Sequence, residues 1–291
     1  MHLKQLTLTQ YKNFSSASFD FNPNINCFVG ENGIGKSNIL DAIYHLSFCK
    51  SYFNPISVQN IQNGTDFFII KGIYEKKLRE EKIICSFKKG QKKIIKRNGN
   101  VYKKISEHIG MIPTVIISPA DRDIIIDGSN TRRKFIDSVI GQTDLIFLNN
   151  LLEYNKILSQ RNSLLKYFTL NKVFDQDTLE IYNNQLVERS HLIFEKRKTF
   201  MDDFVPVFIE TYKKISQKNE NATLSYESQL KFKNHSHLLI NSIEKDKIFQ
   251  YTTTGIHKDD ITLSLGGKPI KKFGSQGQQK TFLIALKLAQ F

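Results

Sequence analysis

Lys36 and Ser37 close the run Gly30-Glu31-Asn32-Gly33-Ile34-Gly35-Lys36-Ser37, which fits the phosphate-binding pattern G-x-x-x-x-G-K-[ST]. Glycines at these positions let successive backbone N–H groups curl around phosphate oxygens, and a helix N-terminus beneath them adds a fixed positive partial charge. The lysine then reaches the β- and γ-phosphates as the catalytic cation, and the serine hydroxyl ligates Mg²⁺. Such a loop needs a strand before it and a helix after it. The apolar run Ile25 to Val29 reads as a buried strand, and Asn38 to Phe48 carries helical periodicity through Leu40, Ile43, Tyr44 and Leu46. The chain is therefore expected to bind a nucleoside triphosphate, with ATP and Mg²⁺ at residues 30–37.

A second anion-binding helix start lies near the C-terminus. Lys272-Phe273-Gly274-Ser275-Gln276-Gly277-Gln278-Gln279-Lys280 leads into an apolar helix expected over Thr281 to Gln290. A small hydroxyl, a flexible glycine and side-chain amides can reach a phosphate but cannot wrap one. Ser275-Gln276-Gly277-Gln278 resembles the signature loop of ABC-type ATPases, which closes over the γ-phosphate held by a second subunit. The resemblance implies an ATP-dependent homodimer, with Lys36 and Ser37 on one copy and Ser275 to Gln278 on the other.

Four blocks resemble the RecF family of bacterial recombination-mediator ATPases, over nearly the whole chain. The first is Leu6 to Ala42, where Tyr11-Lys12-Asn13-Phe14 precedes the loop and Ser37-Asn38-Ile39-Leu40-Asp41-Ala42 follows it. The second is Ile117 to Asp123 with Gly128 and Arg132-Arg133-Lys134-Phe135-Ile136-Asp137. The third is Tyr154 to Lys166, and the fourth is Gly255-Ile256-His257-Lys258-Asp259-Asp260 with the signature loop. The middle blocks are not shared by ABC ATPases at large. The resemblance implies binding of duplex and gapped DNA without sequence preference. It also implies weak DNA-dependent ATPase activity in a complete member, and action with RecO and RecR to load RecA at gaps and stalled forks. A non-hydrolysing, nucleotide-gated DNA clamp is one alternative. A chromosome ATPase head of the SMC or Rad50 kind is another, disfavoured because an insertion of about ninety residues is too short for a long coiled coil at ~1.5 Å per residue.

Lys12 stands where the family more often has arginine. The family also continues from the signature helix into a strand ending in paired carboxylates, whereas this sequence stops at Phe291. The acids that hold Mg²⁺ through water and orient the attacking water are expected beyond that point, so the chain reads as a fragment ending inside an apolar helix.

Charge supports a polyanion partner: the formal net charge is +14, and neutralised phosphates release counterions. Lys88-Lys89-Gly90-Gln91-Lys92-Lys93-Ile94-Ile95-Lys96-Arg97-Asn98-Gly99 is the best local candidate, reading equally as a hairpin edge protected by charge. No run approaches a membrane span and Met1-His2-Leu3-Lys4 opens directly into an alternating strand, so a cytoplasmic protein without a membrane partner is expected. Cys27, Cys49 and Cys85 form no metal or redox spacing, and of the seven histidines only His257 stands near a motif.

The resemblance implies that an α/β fold positions these features: a P-loop ABC-type ATPase head of the Rad50/SMC kind with an inserted helical arm lobe. Residues 1–117 read as the first part of the head, with bends at Asn22-Pro23-Asn24, Asn63-Gly64 and Asn98-Gly99. Residues 118–220 read as the arm, where Leu145 to Lys166 faces a helix marked by Leu179, Tyr182, Leu186, Ile193, Phe200 and Phe204, the turn lying at Thr169 to Asp177. Pro206 should bend or end that second helix. After Asn219-Glu220-Asn221, strands at Leu224 to Phe232 and Ile261 to Leu265 bring residues 221–291 back to the head.

Overall fold

Apolar and polar residues alternate along β1 (His2–Tyr11), and the strand buries Leu6, Leu8 and Tyr11 completely. The computed structural model describes residues 1–76, 79–216 and 220–290. Asn219 of the expected turn and Phe291 lie outside the described residues. The chain divides into two units, Met1–Thr114 and Val115–Phe291.

In the first unit β1 is followed by β2 (Phe14–Asp20), α1 (Lys36–Phe48), β3 (Phe67–Lys76), β4 (Arg79–Lys88), β5 (Ile94–Arg97) and β6 (Asn100–Val101). The strands form one antiparallel sheet in the order β2-β1-β3-β4-β5-β6. Alternation places Phe68, Ile70 and Tyr74 of β3 and Ile83 and Cys85 of β4 in one core with Ile39, Ala42 and Leu46 of α1. Each large apolar side chain among them contributes roughly 1.5–3 kcal/mol by leaving water. Gly72 leaves room for Leu46 of α1, since a Cβ there would sit 2.6 Å from Leu46 Cδ1. The turn between β5 and β6 uses Asn98 and Gly99, both at positive φ, as tight hairpins require.

The expected strand at Ile25 to Val29 is not formed. These residues pair with no described strand, and Ile25 and Val29 are 86% and 90% exposed. An apolar run becomes a buried strand only when a neighbour satisfies its backbone and covers its faces.

The second unit begins with α2 (Asp123–Ile126), α3 (Ser129–Thr143), α4 (Leu145–Asn171) and α5 (Gln176–Ser216). It continues through β7 (Ala222–Glu227), α6 (His235–Asn241), α7 (Ile243–Phe249), β8 (Asp260–Leu265), β9 (Lys268–Pro269), α8 (Ile270–Phe273) and α9 (Gln276–Leu288). The three strands form an antiparallel sheet in the order β7-β8-β9. The α4–α5 hairpin forms where periodicity placed it, with Leu179, Leu186, Ile193 and Phe204 buried. Pro206 does not end α5, which continues to Ser216. Burial of Phe208 and Tyr212 beyond the proline offsets the hydrogen bond it removes. Phe135, Tyr154 and Phe204 share one core with Leu224, Ile261 and Phe282, so segments 118–220 and 221–291 pack together.

Two further boundaries move. β7 ends at Glu227, not Phe232, because Ser228 caps a short 3-10 turn by accepting from Leu230 N–H. The helix expected from Thr281 starts at Gln276, where Ser275 caps it.

Candidate nucleotide-binding site

Gly35 sets up the first loop. It caps α1 at φ 112°, a conformation that costs an L-residue steric strain, and its carbonyl accepts the first helical bonds from Asn38 and Ile39 N–H. Asn13 locks the arrangement. Its amide donates to the Ile34 carbonyl at 2.9 Å and accepts from Asn38 Nδ2 at 2.8 Å. The Lys36 ammonium donates to the Gly30 and Glu31 carbonyls, 2.7 Å each, and so lies across the loop. Gly30, Glu31, Asn32, Gly33, Ile34 and Ser37 are exposed.

Beneath the loop, Asp41 is fully buried on α1. It accepts from Tyr11 Oη at 2.9 Å, Ser51 Oγ at 2.6 Å and Tyr52 N–H at 2.6 Å, and pairs with the Lys12 ammonium. Burial alone would raise its pKa; the bonds from Lys12, Ser51 and Tyr52 outweigh that and hold the carboxyl below its usual range. His45, one turn on, is pushed down to about 3 by burial and by the nearby Lys93. The basic stretch 88–99 is thus partly spent inside its own unit. Lys93 donates to the Cys49 carbonyl at 2.7 Å, Lys88 pairs with Asp66, and Arg97 forms a two-pronged pair with Glu81.

The second loop is a capped helix start. Ser275 Oγ accepts from Gln278 N–H at 3.2 Å, and Gln278 Oε1 accepts from Ser275 N–H at 2.8 Å. Gln276, Gly277 and Gln278 therefore form the first turn of α9 instead of a loop before it. Ser275, Gln276 and Gly277 are exposed, whereas Gln278 is half-buried and donates through Nε2 to Glu220 at 2.9 Å. Residues 30–37 belong to one unit and 275–278 to the other.

The middle blocks hold scaffolding. Arg197, almost completely buried, forms a two-pronged pair with Asp137 and donates to Asp259 at 3.0 Å. Asp259 also accepts from Tyr226 Oη at 2.6 Å, and Arg132 grips Asp260 through both carboxylate oxygens. Arg161 and Asp246, both fully buried, pair at 2.8 Å. His257 is satisfied by Tyr154 Oη at 2.8 Å and the Thr252 carbonyl at 3.0 Å, and burial lowers its pKa to about 4. It is a half-buried histidine held by hydrogen bonds at both ring nitrogens. Among the described residues no group of three His, Cys, Asp or Glu side chains converges as a metal site, and no helix is long and apolar enough to cross a membrane. All three cysteines are free.

The AAA ATPase domain family matches residues 1–284. The DNA replication and repair protein RecF of Flavobacterium johnsoniae is 60% identical over 291 residues, covering all of this chain and 81% of its own length. This chain belongs to the RecF family. The RecF of Phocaeicola vulgatus is 45% identical over 292 residues, covering the whole chain and 78% of its own length. A solved structure described as the recombination mediator protein RecF-ATP in the RecFOR pathway superposes with TM-score 0.93 at 30% identity, over 99% of this chain and 79% of that one. An SMC head bound to the C-winged helix domain of ScpA matches with TM-score 0.56 at 16% identity, over 100% of this chain and 76% of that one, a likeness of fold. The chain is thus a repair protein of the RecF type with a P-loop, ABC-type, SMC-like ATPase fold and a helical arm.

Sequence reasoning did not assign Asn13 or Asp41 a role, although both stand in the first RecF block. Their signal was an amide and a carboxylate flanking a phosphate-loop pattern. Glu220 carried no local signal.

Proposed function

We propose that this chain binds ATP with Mg²⁺ at residues 30–37 and dimerises when ATP is bound. The observation that carries the reading is the loop itself: Gly35 opens α1 in the left-handed region, Asn13 pins it, and the Lys36 ammonium rests on the Gly30 and Glu31 carbonyls. In the bound state the ammonium exchanges those carbonyls for β- and γ-phosphate oxygens, and the α1 N-terminus faces the phosphates. Ser37 Oγ would hold part of the Mg²⁺ shell, and the ion would supply charge neutralisation for the triphosphate. The turn Ser275, Gln276, Gly277 and Gln278 of a second copy, exposed at its first three residues, covers the γ-phosphate, so that nucleotide joins the two chains.

By family membership the dimer binds duplex and gapped DNA through sugar–phosphate contacts indifferent to sequence. It works in the cytoplasm with RecO and RecR to load RecA during gap repair and fork recovery. The net charge of +14 supports the DNA reading. Titration of fluorescent ATP into the chain and into Lys36→Ala tests the site. Strong loss of affinity in the variant is expected, and near-normal affinity overturns the assignment.

A further inference from the structure

Glu220 lies between the last turns of the arm helix α5 and the first turn of α9, and its carboxylate serves both. Tyr212 Oη of α5 donates to Oε2 at 2.7 Å, and Gln278 Nε2 of α9 donates to Oε1 at 2.9 Å. The same Gln278 side chain closes the Ser275 cap through Oε1. Apolar contacts run alongside: Phe282 of α9 packs its ring 4.7 Å from Phe208 and 5.9 Å from Tyr212. Gln278 is thus held by bonds at both amide atoms, one from the cap and one from the arm. Hydrogen bonds weaken steeply beyond about 3.5 Å. A displacement of the α5 end by about an ångström therefore breaks the Tyr212–Glu220 bond and removes from the carboxylate that holds Gln278 its tie to the arm helix.

We propose that Glu220 is a positioning residue for the signature turn, through which the arm helix sets the readiness of Ser275–Gln278 to meet the nucleotide of a second copy. The proposal rests on the dimer reading above. It assigns the regulation of that turn to a carboxylate shared between two elements.

The test uses Gln278→Glu, which keeps the cap on Ser275 but sets a second carboxylate against Glu220. The double variant Glu220→Gln with Gln278→Glu restores a donor facing an acceptor, and the oxygen of the amide introduced at position 220 still accepts from Tyr212. Two readouts are taken in the full chain: amide exchange at residues 276–279 without nucleotide, and ATP-dependent dimer affinity by sedimentation. Gln278→Glu is expected to speed exchange and weaken the dimer by about tenfold or more, as loss of a charge-assisted bond implies. The double variant should bring exchange back to the rate of the unaltered chain. Wild-type exchange in Gln278→Glu, or failure of the double variant to restore it, overturns the role of Glu220. If the unaltered chain forms no dimer with ATP, the dimer reading fails, and exchange alone still decides whether Glu220 orders the turn.

Discussion

Gly35→Ala perturbs the phosphate loop at its most constrained point. The residue sits at φ 112°, and a Cβ built there falls 2.6 Å from Asn13 Nδ2, 2.7 Å from Phe14 Cζ and 2.9 Å from Asn13 Oδ1. Holding alanine in a left-handed conformation costs roughly 1–2 kcal/mol. Asn13 must also move, losing its bond to the Ile34 carbonyl and the bond it accepts from Asn38, each worth about 0.5–1.5 kcal/mol. Together these give a destabilisation of about 3 kcal/mol, or a Tm lower by roughly 10 °C. Gly33→Ala is the control: φ is +86° but nothing lies within 4 Å of the added carbon, so it carries only the backbone cost. Urea unfolding and fluorescent-ATP titration of the two variants separate strain from collision. Equal effects of the two substitutions would refute the role of Asn13 as the pin of the loop.

Ser275→Arg should leave ATP affinity almost intact and abolish ATP-dependent dimerisation, because it sets a bulky cation in the exposed cap; a persistent dimer in sedimentation with a slowly hydrolysed analogue contradicts this. DNA affinity should fall steeply and linearly in log K against log [salt], with little preference among duplex sequences; a flat salt response contradicts the phosphate-contact reading. Stability should fall as pH drops from about 6.5 towards 4. His45 is held down to about 3, and His235 and His257 to about 4, all by burial first. The unfolded chain therefore binds protons that the folded chain refuses, at a loss of about 1.4 kcal/mol per pH unit for each histidine inside that window and none above it. Urea midpoints that do not change between pH 7.5 and 5 contradict this burial.

The elements that present the candidate site were legible where local pattern and local chemistry agree. The helix that the periodicity predicts over Asn38 to Phe48 forms as Lys36–Phe48, and the α4–α5 hairpin follows its apolar stripe to within a few residues. Ser275 with Gln278 three residues on is a capping pattern that marks the start of α9 at Gln276; reading the polar run as a loop placed it later. Ile25 to Val29 misled because hydrophobicity reports a tendency to be covered, not the presence of a partner strand. The polar scaffold could not be read locally at all. Arg132 finds Asp260, Arg161 finds Asp246 and Tyr226 finds Asp259 only after folding brings distant segments together. Residues that mark the family in the second, third and fourth blocks thus include buried pairs that hold the arm and the small sheet in place.

The central claim, that one copy's phosphate loop is completed by another copy's signature turn, is tested most directly by mixing Lys36→Ala with Ser275→Arg. Each variant alone lacks one half of every shared site and should remain monomeric with ATP in analytical ultracentrifugation. The equimolar mixture should form a heterodimer, because the intact loop of Ser275→Arg meets the intact turn of Lys36→Ala at one of its two sites. A mixture that stays monomeric while the unaltered chain dimerises, or either variant dimerising alone, would contradict the account.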